Sequence, residues 1–196
     1  MSPHSKKSAG LRHLAEIDME IRKAVEADIR NLLPLMRELA DFEKYAEDFA
    51  LTEEALRKQG FQHSPPDFHC LIAEDGGESV GFLVYYFVPF TYRAKPNLII
   101  KEFYVAGQRR SRGTGRLLMK AVAKEAARSG CGMIKWWVAK WNKRGIEFYK
   151  RLGAKSIATG TNFNCRKKRF GIWRRLANGG GTRCLQRVVK PMRLAA

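Results

Sequence analysis

Several absences narrow what this chain can be. No stretch of its 196 residues approaches the ~18 consecutive apolar residues of a membrane-crossing helix, so no membrane span is expected. The first twenty residues, MSPHSKKSAGLRHLAEIDME, lack the apolar core of a secretory signal. Cysteine is scarce: Cys70, Cys131, Cys165 and Cys184 form no C-x-x-C pair and have no zinc-type histidine spacing. They read as reduced thiols, with a cytoplasmic location and no bound metal expected. No internal repeat is present. Acidic residues are missing from residues 161–196, which hold ten Lys/Arg.

What is present is an uneven charge. The net charge is +18, yet residues 14–100 hold nine Lys/Arg against sixteen Asp/Glu, and residues 101–151 hold fourteen against three. A basic middle suits a polyanion, and an acidic N-terminal half suits a cation. With 45% hydrophobic residues, the chain can bury the core of one domain. Residues 1–16 read as a flexible, weakly basic arm, 17–160 as the domain and 161–196 as a basic tail.

The domain reads as α/β, a mixed sheet with helices packed on it. Residues 19–25 form a first strand. Asp28 caps a helix whose face carries Ile29, Leu32, Leu33, Met36, Leu39 and Ala40, with Pro34 kinking it or ending its first turn. Thr52 caps a second short helix that stops at Gly60. Residues 68–73 and 80–88 form a hairpin across Asp75-Gly76-Gly77. Residues 97–105 are the next strand. Strict alternation there puts Leu98, Ile100, Glu102 and Tyr104 on one face, with Ile99, Lys101, Phe103 and Val105 on the other. A helix over 115–129, a strand over 133–139 and a helix over 143–152, capped by Asn142, complete the domain. From Thr161 onward the chain has no clean periodicity and does not read as strands. That tail is open to three readings: a disordered segment, a nucleic-acid-binding arm, or a shifted reading frame.

One run carries chemistry. Gln108-Arg109-Arg110-Ser111-Arg112-Gly113-Thr114-Gly115 follows a strand and opens a helix. Glycines let several backbone N–H groups converge on one spot, and the helix N-terminus adds partial positive charge there. A pyrophosphate is the natural occupant, with the arginines pairing further phosphate oxygens. A dinucleotide-binding motif fits poorly, because no third glycine follows Gly115 at the required offset. The plain structural alternative is a tight turn with surface arginines. Beyond the loop, Trp141-Asn142-Lys143-Arg144 enters a helix that carries Tyr149. Glu102 is a carboxylate beside the loop's strand and a candidate base. An amine acceptor is mostly protonated near neutral pH and must lose a proton before attack.

These motifs resemble the GNAT N-acetyltransferases, and among them the diamine (spermidine/spermine-type) family with its thialysine-acetylating relatives. The (Gln/Arg)-x-x-Gly-x-(Gly/Ala) loop is matched by Arg110-Ser111-Arg112-Gly113-Thr114-Gly115. Relatives have Gly where this chain has Ser111, a change tolerable only if position 111 avoids positive φ. The W-N motif matches at Trp141-Asn142, and F-Y-K-R-x-G-A at residues 148–154. Upstream, residues 39–43, 51–53, 69–74 and 81–87 also match, so the resemblance covers about residues 20–157.

The resemblance implies the GNAT acyl-CoA N-acyltransferase fold, a mixed central sheet flanked by helices. It implies acetyl-CoA as co-substrate, bound by the backbone of Phe103, Tyr104 and Val105. Arg110, Ser111, Arg112, Gly113, Thr114, Gly115 and Arg116 would hold it too, with Asn142, Lys143 and Arg144. Tyr149 would protonate the leaving thiolate, and Glu102, or a water, would take the amine's proton. Phe42 and Glu43 fall where the family contacts its acceptor. Lys101 stands where relatives carry an acid, as do Thr91 and Thr161, and Arg93 replaces a Trp. These departures disfavour a long polyamine and suit a lysine- or thialysine-like amine, whose carboxylate Lys101 or Arg93 can pair. A homodimer is expected from the relatives. The rival functions are a protein or peptide acetyltransferase, a CoA-binding protein without catalysis, and nucleic-acid binding through residues 161–196, which is not favoured.

Overall fold

A computed structural model describes residues 19–156 and 162–166. The expected N-terminal arm, and the tail except for residues 162–166, lie outside the described residues.

The strands are β1 (Met19–Lys23), β2 (His69–Asp75), β3 (Glu78–Val88), β4 (Asn97–Val105), β5 (Met133–Trp137), β6 (Lys155–Ser156) and β7 (Asn162–Arg166). They form one sheet in the order β1-β2-β3-β4-β5-β7-β6. β4 and β5 run parallel and the other neighbours antiparallel. A parallel pair needs a crossover, and α3 (Thr114–Arg128) supplies it. Gly76 (φ 60°) and Gly77 (φ 83°) make the β2–β3 turn, a left-handed pair that matches the twist of the strands.

Helices cover both faces. On one side α1 (Ile29–Glu43) and α2 (Glu53–Arg57) bury Leu32, Met36, Leu39 and Leu56 against Ile72, Phe82, Val84 and Tyr104. On the other, Leu118, Val122 and Ala126 of α3 pack on Leu71, Leu83, Tyr85, Leu98 and Ile134. The final helix, α4 (Lys143–Arg151), adds Tyr149 to that second core. Each fully buried side chain of this size contributes roughly 1.5–3 kcal/mol.

Four expectations are corrected. Pro34 does not end the first turn of the α1 helix, which runs on through it to Glu43. Asp28 does not cap it with its side chain; that carboxylate is buried, accepts the Val25 N–H and pairs with both terminal nitrogens of Arg22. Arg22 also reaches Glu74, so it staples β1 to β2 and to the entry of α1. Gly60 does not stop α2, because the chain continues through it in a wider turn over Lys58–Gln62. A Cβ at Gly60 would lie 2.9 Å from the Phe68 ring, so close packing selects glycine there. Finally, Asn162–Arg166 is a strand, paired to β5 along five residues. Its sequence has little strand propensity, and the exposed edge of β5 supplies the partner that periodicity did not reveal.

Candidate active site

The sheet opens beside β4. β5 pairs with it only over Asn97, Leu98 and Ile99. From Ile100 to Val105 the β5-facing edge of β4 has no strand partner among the described residues, which leaves backbone groups in need of hydrogen bonds. A cavity of about 650 Å³ lies there. Its walls come from Phe103–Val105, from the loop residues Arg110, Ser111, Gly113, Gly115 and Arg116, and from Asn142–Gly145 with Tyr149 at the start and middle of α4.

Local chemistry sets each wall. Gly113 has φ 92° and nothing within 4 Å of where a Cβ would stand, so the loop turns freely into α3. A Cβ on Gly115 would come within 3.2 Å of Phe103, so glycine lets α3 start against the strand. Asn142 caps α4 as expected, its Oδ1 accepting the Gly145 N–H at 2.8 Å. Tyr149 is buried against Phe103, Phe148 and Trp136, with ring centroids 5.2–6.3 Å apart. Burial holds its phenol well above the ordinary tyrosine range, so the hydroxyl stays protonated at any working pH.

The loop departs from expectation at three arginine and serine positions. Ser111 does take positive φ, 70°, contrary to the condition set for it. Its Oγ accepts a hydrogen bond from Arg144 Nη2 at 2.9 Å, which helps hold a conformation that costs roughly 1–2 kcal/mol for a non-glycine residue. Arg109 lines the cavity, but its guanidinium donates to Asp75 and Glu78 at 2.7 Å each and pins the loop to the β2–β3 hairpin. Arg110 turns inward. Its Nε donates to the Val105 carbonyl at 2.8 Å, and its guanidinium lies 4.9 Å over the Phe42 ring and 5.3 Å over the Tyr104 ring. By contrast, Arg112, Arg116 and Lys143 have no ion pair among the described residues.

The residues expected to meet the acceptor stand at the end of α1 and along β4. Phe42, in the last turn of α1, touches Trp141 at 5.4 Å between ring centroids and lines the cavity with it. Glu43, Lys101 and Glu102 are not among the lining residues, nor are Arg112 and the buried Thr114. The strict alternation expected along β4 is overturned. Ile100 pairs with Tyr85 and Glu102 with Val84, so Lys101 is an extra residue and a β-bulge reverses the facing. Leu98 and Ile100 pack toward α3, whereas Tyr104 packs toward α1. Glu102 is half-buried, and desolvation lifts its carboxyl above the usual range, with Lys101 opposing and Glu43 reinforcing. Desolvation likewise lifts Glu43, again opposed by Lys101.

Sequence reasoning missed Tyr45, Trp141 and Phe148. Tyr45 follows the left-handed Lys44 that ends α1, and burial with Glu102 and Glu43 pushes its phenol up to about 12. Nothing in its local sequence marks it. Trp141 lay in view as half of the W-N motif.

An open strand edge, a glycine loop at a helix N-terminus, uncommitted cations and a buried phenol together fit an extended, phosphate-bearing thioester. Thr114 Oγ1 adds a buried hydroxyl without a partner among the described residues. The Acetyltransferase (GNAT) family profile matches residues 33–154. The chain is 37% identical over 153 residues to a thialysine N-epsilon-acetyltransferase of Bos taurus, covering 74% of this chain and 89% of that one. It is 31% identical to the spermidine/spermine N(1)-acetyltransferase-like protein 1 of Homo sapiens, over 76% of this chain and 22% of that protein. Among solved structures, the PaiA N-acetyltransferase of Thermoplasma acidophilum, in complex with coenzyme A, superposes with a TM-score of 0.61. It is 21% identical and matches 76% of this chain and 99% of that one. The chain therefore belongs to the GNAT acetyltransferase family and is an acetyl-transferring enzyme.

Proposed function

We propose that the protein transfers acetyl from acetyl-CoA to the primary amine of a small molecule, by direct attack and with Tyr149 as general acid. The observation that carries this reading is that one cavity joins the open edge of β4, the glycine loop, the start of α4 and the Tyr149 ring. The thialysine- and polyamine-type names of the relatives support a small amine acceptor.

In this reading the cofactor's pyrophosphate rests on the backbone around Ser111, Gly113, Thr114 and Gly115, with Arg112, Arg116, Lys143 and Arg144 toward its phosphates. Its thioester arm lies along Phe103–Val105, whose backbone donors polarise the carbonyl. Arg110 orients that strand end and the Phe42 ring. Glu102, through a water, takes one proton from the acceptor ammonium. The neutral amine then attacks the thioester carbon, the C–S bond breaks, Tyr149 gives its proton to the departing sulfur, and the acetylated nitrogen loses its surplus proton to solvent, which restores the phenol. A thiolate of pKa about 8.5 leaves more readily when protonated as it goes. A cytoplasmic homodimer belongs to this reading and is checked by light scattering.

The test is release of CoA thiol from acetyl-CoA across spermidine, 1,4-diaminobutane, lysine, thialysine and a lysine peptide. Release with a small amine is expected. Release with the peptide alone would favour a protein acetyltransferase, and none at all would sink the enzyme reading as stated.

A further inference from the structure

The bulge in β4 determines what faces the acceptor. Ile100 packs in the core under α3, and Phe103 packs against the same core. Between them stand Lys101 and Glu102, where a regular strand would have sent the two side chains to opposite faces. Counting one step from Ile100 and one step back from Phe103 puts both on the α1 side. Glu43, the last residue of α1, and Tyr45 just beyond it share that side. Each carboxyl is influenced by Lys101, and the Tyr45 phenol by both carboxyls. Lys101 is exposed, and no hydrogen bond or ion pair at contact distance holds it among the described residues. Arg93, the other candidate for an anionic group, lies in the turn before β4, at the opposite end of the strand from Glu102. The acceptor side thus offers two carboxylates and one uncommitted ammonium, all on one face.

We propose that Lys101 is a specificity-determining residue: it selects acceptors that carry a carboxylate as well as the reacting primary amine, and disfavours diamines and polyamines. The inference rests on the acetyl-transfer reading above. The carboxylates of Glu43 and Glu102 draw in the reacting ammonium. A carboxylate elsewhere on the acceptor then pairs with Lys101, whereas a second ammonium meets repulsion. Each such contact is worth a few-fold near the surface, and exchanging attraction for repulsion makes the preference about tenfold.

The test uses acceptor pairs that differ only in the carboxylate: lysine against 1,5-diaminopentane, and ornithine against 1,4-diaminobutane. The full chain and its Lys101→Ala, Lys101→Glu and Lys101→Arg variants are compared by kcat/KM for CoA release. The wild type should favour the amino acid of each pair. Lys101→Ala should shrink that ratio about tenfold, Lys101→Glu should invert it, and Lys101→Arg should keep it. Calorimetric binding of lysine and 1,5-diaminopentane to the CoA-loaded protein should give the same ordering without turnover. Turnover with unchanged ratios in the Ala and Glu variants would overturn the role of Lys101 alone. A wild type that prefers the diamines would do the same. No CoA release with any acceptor would overturn the acetyl-transfer reading and this inference with it.

Discussion

Arg144 donates from Nη2 to Ser111 Oγ at 2.9 Å, joining the first turn of α4 to the glycine loop across the cavity both residues line. The bond helps a serine occupy a left-handed backbone position, φ 70°. A β-branched residue tolerates that region least. Ser111→Val should therefore lose about 1–2 kcal/mol of stability and weaken CoA binding. Ser111→Gly should stay near wild type, since relief of strain offsets the lost hydrogen bond and the greater freedom of the unfolded chain. Urea denaturation of the three proteins checks this; equal stability of the Val variant would contradict it.

Arg109 lines the cavity, yet its guanidinium is held by the β2–β3 hairpin. Its two ion pairs, to Asp75 and Glu78, are partly exposed and together contribute about 1 kcal/mol. Arg109→Ala should lower the thermal midpoint slightly and loosen CoA binding a few-fold, because the loop loses its tie to the hairpin. The difference between variant and wild type should narrow at high salt. A calorimetric CoA titration at two salt concentrations provides the readout.

The helix cap made by Asn142 and its proposed cofactor contact can be tested separately. The Asn142 Oδ1 caps α4, and loss of such a cap costs about 1 kcal/mol. Asn142→Ala should be destabilised by that amount, while Asn142→Ser should recover most of it. If the side-chain amide also contacts the cofactor, the serine variant will still bind CoA more weakly than wild type. Stability and affinity that recover together would assign the residue to capping only.

Glu102 gives a pH signature. Its folded-state pKa is raised by burial, so the fold favours the protonated form. That contribution is present below the ordinary carboxylate range and is lost as pH rises through the raised value. Glu102→Gln should thus be at least as stable as wild type at about pH 8, and wild type should gain on the variant toward about pH 4. The variant should also lose the acidic limb of the pH–rate profile. Thermal melts across that range check the sign, and a variant less stable than wild type at the alkaline end would contradict it.

Much of this was legible before the fold was known. Hydrophobic period marked α1 and α3, the Gly76-Gly77 pair marked the hairpin, and Thr52 and Asn142 cap where expected. The glycine loop and Tyr149 do meet in one cavity. What escaped depends on neighbours distant in sequence. The bulge at Lys101 appears only when β4 is counted against β3, and it reverses the facing of Glu102. Arg109 and Arg110 look alike in sequence, yet one meets the acids of the hairpin and the other a carbonyl and two rings. β7 is a strand because β5 offers an edge, not because its own residues prefer one.

The most direct measurement is kcat of Tyr149→Phe at saturating acetyl-CoA and acceptor, with CoA affinity measured in parallel. The phenol is buried and protonated, and the substitution removes one oxygen from a packed ring. If Tyr149 protonates the departing sulfur, kcat should fall about a hundredfold or more while CoA binding stays within a few-fold of wild type. An unchanged kcat would remove Tyr149 from the mechanism.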